Sequence, residues 1–111
     1  MFYETTFITR PDISNNDVEN LTSGFCKILE DGGAKIIKKE YWGLRNLAYS
    51  IKNSNKGHYT YLCYESDADT LNEVERKMRL NEDVIKHLSI KLSEADDKPT
   101  MIMSQAGSEN K

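Results

Sequence analysis

Long apolar runs are missing from this chain. None approaches the roughly 18 residues that a membrane-spanning helix needs. The opening Met1-Phe2-Tyr3-Glu4-Thr5-Thr6 has neither a basic start nor an uninterrupted apolar stretch, so the chain is expected to stay in the compartment where it is made. Cysteine is scarce: Cys26 and Cys63 are the only two, far apart and without a C-x-x-C pair. That spacing supports neither a disulfide framework nor a zinc site. Both read as reduced core residues, a usage that suits a cytoplasm.

Patterns that carry chemistry are equally thin. Neither His58 nor His87 has a carboxylate or nucleophile at a suggestive spacing, so both read as ordinary strand or surface histidines rather than as acid–base groups. The paired acids Asp96-Asp97 fall in a polar C-terminal stretch. Gly24 and Gly32-Gly33 lack a Walker lysine or a dinucleotide spacing, and the glycines read as structural. No enzyme activity, cofactor, metal or small-molecule ligand is expected. Arg10, near the end of the first expected strand, is the one residue an acylphosphatase-like site would use, but no glycine-rich anion loop surrounds it.

What remains is an ordinary composition in one small unit. The 111 residues are 38% hydrophobic and 30% charged, which suits a single globular domain with a modest core. The net charge of −3 is unevenly spread, and binding depends on where charges sit rather than on their sum. Residues 35–56 carry Lys35, Lys38, Lys39, Arg45, Lys52 and Lys56 against Glu40 alone, a net of +5. Residues 76–91 carry Arg76, Lys77, Arg79, Lys86 and Lys91 against Glu82 and Asp83, a net of +3. A single basic run is usually a solvated face; two in one small domain favour a polyanion as partner.

Six elements are expected in order. Met1 to Thr9 has the aromatic and β-branched content of a strand, ended by Arg10-Pro11-Asp12. Ser14 or Asn15 caps a helix whose apolar positions are Val18, Leu21, Phe25, Ile28 and Leu29, and Gly32-Gly33 stops it. Ala34 to Ile51 and His58 to Glu65 form a long hairpin around a turn at Ser54-Asn55-Lys56-Gly57. Ser66, with Asp69 three residues on, resembles a capping box for a second helix with the stripe Leu71, Val74 and Met78, closing near Asn81. Val84 to Leu92 then alternates as a half-buried strand, with Val84, Leu88, Ile90 and Leu92 on one face and His87, Ser89 and Lys91 on the other. The order βαββαβ predicts an α+β fold of the ferredoxin-like, split βαβ type, a four-stranded antiparallel sheet with two helices on one face. The domain is expected over residues 1–93. Residues 94–111, polar apart from Met101-Ile102-Met103, are expected as a mobile tail.

The tyrosines allow two readings. Tyr59, Tyr61 and Tyr64 in one strand and Phe2 and Tyr3 in another are where an RNA-recognition sheet would stack bases. Rings at alternating strand positions pack a core at least as often, and the segment does not match the usual recognition consensus. Packing is therefore preferred for Tyr59 and Tyr61, and phosphate contact by the basic segments is the favoured binding mode.

The run Trp42-Gly43-Leu44-Arg45-Asn46-Leu47-Ala48-Tyr49, followed by Ile51-Lys52 and Lys56-Gly57-His58-Tyr59, resembles the signature hairpin of the bacterial small-subunit ribosomal protein six family. Tyr3-Glu4, Gly33-Ala34 and Leu80-Asn81-Glu82-Asp83-Val84-Ile85-Lys86-His87 join it in the family's order, so the resemblance spans about residues 1–93. It implies a structural role in the small ribosomal subunit, binding to the central part of the small-subunit ribosomal RNA, and assembly there with small-subunit ribosomal protein eighteen. Two positions depart from the pattern: Phe2 stands where the family often has arginine, and Ser50 where it often has proline. The first weakens any phosphate role for the N-terminus; the second removes a rigid φ from the hairpin. On this reading Arg45, Lys52, Lys56, Arg79 and Lys86 neutralise RNA phosphates, and Trp42, Leu44 and Tyr49 contact the protein partner or support the hairpin. The rival classes are a generic single-strand RNA binder and a ligand-binding domain on the same fold.

Overall fold

The structure is a computed structural model and describes residues 1–93; the expected tail lies outside the described residues. Its elements run β1 (Phe2–Thr9), α1 (Asn15–Asp31), β2 (Lys35–Ile51), β3 (Ser54–Glu65), α2 (Ala68–Leu80) and β4 (Val84–Leu92). The strands form one antiparallel sheet in the order β2-β3-β1-β4, the βαββαβ arrangement expected. No described helix is long and apolar enough to cross a membrane.

Local chemistry sets the helix ends. At α1 the Ser14 side chain accepts from Asp17 N–H while the Asp17 carboxylate accepts from Ser14 N–H, a reciprocal capping box that satisfies two otherwise free donors. At its other end Gly33 takes φ +90°, and the N–H groups of Gly33 and Ala34 reach the carbonyls of Glu30 and Leu29. That is a Schellman stop, which needs a residue free to enter the left-handed region. The cap of α2 is Asp67, accepting from Thr70 N–H at 2.8 Å, and not the expected Ser66. Ser66 instead bonds through its N–H to the Met1 carbonyl and through its hydroxyl to the Asp67 carbonyl, which ties the chain start to the entry of α2.

The hairpin turns at Lys52-Asn53, directly after Ile51 where β2 was expected to end, and before the expected Ser54–Gly57 turn. Both residues adopt left-handed φ values, 48° and 64°, as a two-residue type I′ turn requires. Ser54 to Gly57 are already paired strand.

Alternation divides each strand between two faces. One face packs on the helices: Tyr3 and Phe7 of β1, Leu62 and Tyr64 of β3 and Val84 of β4 meet Phe25 and Leu29 of α1 and Val74 and Met78 of α2. Phe7 and Phe25 meet edge to face at 5.2 Å. Between the sheet and α2, Tyr64 OH and Ser89 Oγ both lie 2.7 Å from Thr5 Oγ1, so these buried hydroxyls satisfy one another.

The last strand departs from expectation. Its alternation is real, but the face carrying Leu88 and Ile90 points away from the helices, and these side chains are 58% and 48% exposed. A bulge between Ile8 and Thr9 shifts the β1–β4 register, so that Val84 and Leu88 no longer share a buried face. His87 and Ser89 take the helix-facing positions, His87 beside Glu75 of α2.

Candidate interaction surfaces

The sheet face away from the helices carries a second, smaller cluster, Trp42, Tyr61 and Cys63, with Ile37, Tyr59 and Leu92 packed against it. Strand register arranges it in rows. Ile90, Glu4, Cys63 and Lys38 form one row across β4, β1, β3 and β2; Leu88, Thr6, Tyr61 and Glu40 form the next; Lys86, Ile8, Tyr59 and Gly43 form a third. Bulges in β2 turn Trp42 onto this face, where its indole stacks on Tyr61 at 5.3 Å and 14°. Gly43, beside it, has φ +92°, a conformation that costs glycine nothing.

Polar groups hold these rings in place. Trp42 Nε1 donates to Glu40 Oε1 at 2.9 Å and Tyr61 OH donates to Glu4 Oε2 at 2.6 Å. Burial first, then the Glu4 carboxylate, push the Tyr61 phenol far above the usual tyrosine range, so it stays a donor. Lys38 Nζ lies 5.8 Å above the Tyr61 ring and has no hydrogen-bond partner among the described residues although it is sheltered from water. An ammonium in that position gains from any added acceptor. Arg45, nearly buried at 9% exposure, lies with its guanidinium 6.0 Å over Tyr59. Exposed Leu88 and Ile90 share this face, across Thr6 and Glu4 of β1 from Tyr61 and Cys63, and apolar side chains exposed together on one face are the kind of surface that marks an interaction site.

The site residues expected from the sequence therefore fall into two places. Trp42 is 7% exposed and works as support, whereas Leu44 and Tyr49 are 46% and 64% exposed. Lys52 sits at the hairpin turn, and Lys52, Arg79 and Lys86 meet around one cavity at the end of the sheet. Lys86 Nζ donates to Tyr49 OH at 3.3 Å and lies 5.5 Å from its ring centre, so the hairpin tip touches β4. Lys56 is exposed on β3 opposite Asn46. Arg45 belongs to the open sheet face, over Tyr59, whose row across the sheet ends at Lys86. Leu88, Ile90, Glu4 and Lys38 were not expected as site residues. The alternation that would find Leu88 and Ile90 is in the sequence, but it does not say which side the helices cover. Tyr61 packs as expected, though on the open face and not in the main core.

Other candidates are engaged structurally. Arg10 pairs with Asp83 at 2.7 Å and with Asp12 at 3.4 Å, and its N–H bonds the Asp83 carbonyl, closing the β1–α1 loop onto the start of β4. His58 is buried, with Nδ1 2.7 Å from Tyr41 OH and Nε2 3.0 Å from the Ile13 carbonyl, to which Nε2–H donates. A niche of about 320 Å³ between α1 and β2 is lined by Glu19 and Lys39 among others, but these charges pair with each other at 3.2 Å. Cys26 and Cys63 are both free thiols, and burial pushes the Cys26 thiol up. Among the described residues no three metal-ligating side chains converge.

The family model described as Ribosomal protein S6 matches residues 2–91 of this chain. A small ribosomal subunit protein bS6 from Rickettsia prowazekii is 46% identical over 109 residues, covering 98% of this chain and 90% of the relative. The protein of the same description from Gluconacetobacter diazotrophicus is 45% identical, covering 96% of this chain and 66% of that one. Among solved structures, the 30S ribosomal protein S6 of Thermotoga maritima superposes with a TM-score of 0.76 at 34% identity, covering 80% of this chain and 84% of the other.

Proposed function

The chain belongs to the ribosomal protein S6 family, and on that footing we propose that it binds the central domain of small-subunit ribosomal RNA jointly with small-subunit ribosomal protein eighteen. Its membership makes it a structural protein of the small ribosomal subunit and not an enzyme, which places it on the ribosome. The joint binding is the further step. The observation that carries it is the side-by-side placement of an apolar, aromatic open sheet face and a cluster of cations at one end of the same sheet.

In this reading each surface has one task. Leu88 and Ile90, flanked by the Trp42–Tyr61 stack and the Arg45–Tyr59 pair, take the protein partner, with the sheltered Lys38 ammonium offering a donor to a partner carboxylate or carbonyl. Apolar burial at such a patch contributes about 25 cal/mol per Å² removed from water. Leu44 and Tyr49, exposed along the hairpin, extend that contact. Lys52, Lys56, Arg79 and Lys86 face the RNA backbone, where each neutralised phosphate releases counterions. Arg45, its guanidinium 6.0 Å from the Tyr59 ring centre, is assigned in this reading to the protein contact, in place of the RNA phosphate expected from the sequence.

With a net charge of −3 on the whole chain, the free protein attracts RNA weakly, so the partner must supply much of the positive charge. A generic base-stacking role is disfavoured because Trp42 and Tyr61 cover each other and both rings are buried. The test is the affinity for central-domain RNA of this chain, of the partner and of the mixture, at fixed salt and magnesium. Joint binding predicts a mixture that binds far more tightly than either protein alone. A free chain that binds as tightly as the mixture would remove the cooperative part of the proposal, and a mixture that ignores the RNA would remove it entirely.

A further inference from the structure

We propose that the open cavity lined by the hairpin tip, the C-terminal end of α2 and the start of β4 is a seat for a single backbone phosphate of an RNA strand. The inference rests on the RNA-binding reading above and deepens it from a charged surface to one defined pocket. The cavity is about 280 Å³ and is reached by Lys52, Arg79 and Lys86, three cations drawn from three separate segments of the chain.

Like charges do not gather without a reason. Three cations around one cavity repel one another, and the repulsion grows where apolar walls lower the local dielectric. Here Met78, Val84 and Ile85 supply such walls, and no carboxylate lines the cavity. Four other cations are paired internally: Arg10 with Asp83, Lys27 with Asp31, Lys39 with Glu19 and Arg76 with Glu73. No such partner for Lys52, Arg79 or Lys86 is present among the described residues. The site is complementary to an anion supplied from outside.

The geometry is partly built in advance. Lys52 occupies a left-handed position, φ 48°, in the type I′ turn, which fixes the direction in which its side chain leaves the hairpin. Lys86 is steadied by the Tyr49 ring and hydroxyl. Arg79 lies in the last turn of α2, where the helix carbonyls offset part of its charge, so Lys52 and Lys86 carry most of the attraction. Donors carried by three separate chain segments suit a phosphate with several free oxygens better than a planar carboxylate, which one guanidinium can bind edge-on. A phosphate held there would also lock the hairpin tip against β4 and hold Tyr49 where the protein partner meets it.

The experiment uses the full chain mixed with its partner protein and central-domain RNA, and compares Lys52→Gln/Lys86→Gln with Lys27→Gln/Lys91→Gln, which removes the same charge elsewhere. Affinity is measured across a salt series, with unfolding temperature and RNA-free partner association recorded for each variant. A phosphate seat predicts roughly tenfold or greater loss of RNA affinity for the first pair and a salt dependence shallower by about one. The fold should be unchanged and any loss of RNA-free partner association far smaller than the loss of RNA affinity, since Tyr49 keeps its place on the hairpin, and the control pair should lose less than about twofold, as diffuse charge alone allows. If wild type binds RNA and the first pair behaves like the control, the seat is wrong and the RNA-binding reading stands. If the wild-type mixture does not bind RNA, both fall. If the free chain captures inorganic phosphate tightly, and RNA does not displace it, the occupant is a free anion and the RNA assignment is overturned.

Discussion

Gly57→Ala and Gly24→Ala, chemically identical changes, should move stability in opposite directions. A Cβ on Gly57 would overlap Ile8 Cγ2 and come within 3.0 Å of the Thr9 carbonyl oxygen. Ile8 is β-branched and has little rotamer freedom to yield, and the Thr9 carbonyl is backbone. The strain must pass into the β1–β3 ladder, where Thr9 pairs with His58 beside Gly57. Overpacking of this kind costs about 2 kcal/mol, equivalent to a fall of roughly 8–16 °C in Tm for a domain of this size. Gly24 lies within α1 with nothing within 4 Å of its added Cβ. There alanine relieves the entropy cost of helical glycine, adding about 0.5–1 kcal/mol and raising Tm by about 2–8 °C. Calorimetry or urea unfolding of the two variants beside wild type decides the matter. A Gly57→Ala protein as stable as wild type, or a Gly24→Ala protein less stable, would refute the reasoning from close approach.

Three further outcomes follow from named contacts. Ser14→Ala removes one half of the α1 capping box and should cost about 1 kcal/mol in urea unfolding, with the Asp17 N–H losing exchange protection first. Leu88→Ser/Ile90→Ser alters two exposed side chains, so stability should stay within about 0.5 kcal/mol while affinity for the protein partner falls at least tenfold by calorimetric titration; unchanged affinity would move the docking surface elsewhere. Alkaline stability supplies the third. Burial pushes the Tyr64 phenol up to about 12 and Tyr61 higher still. The folded state therefore keeps protons that the unfolded chain releases near pH 10. Stability is full below pH 10 and declines as pH rises toward 12. Ultraviolet titration should show these two phenolates appearing together with unfolding, and a Tyr64 that ionises in the folded protein near pH 10 would contradict its burial.

The element order was readable because it depends on local chemistry. The stripe Val18, Phe25 and Leu29 and the Gly32-Gly33 stop specify α1 from its own residues, as Val74 and Met78 specify α2. Details decided by competition between neighbours were not readable. Ser66 and Asp67 are both good caps, and the choice fell to Asp67 because Ser66 is drawn to the Met1 carbonyl. The hairpin could turn at Ser54–Gly57 or at Lys52-Asn53; pairing of Asn46 with Lys56 and of Ile51 with Ser54 selected the latter.

The sequence by itself determined the βαββαβ order, the family, the two basic segments and the hairpin that carries Trp42, because each is a property of residues close together in the chain. Only the tertiary structure decided which side of each strand the helices cover, and with it that Leu88 and Ile90 face outward while His87 and Ser89 face α2. Period-two alternation is symmetric between faces, so no single strand records its own orientation. Only the fold, too, could bring Lys52 to Arg79 and Lys86, since their meeting depends on where a distant hairpin comes to rest.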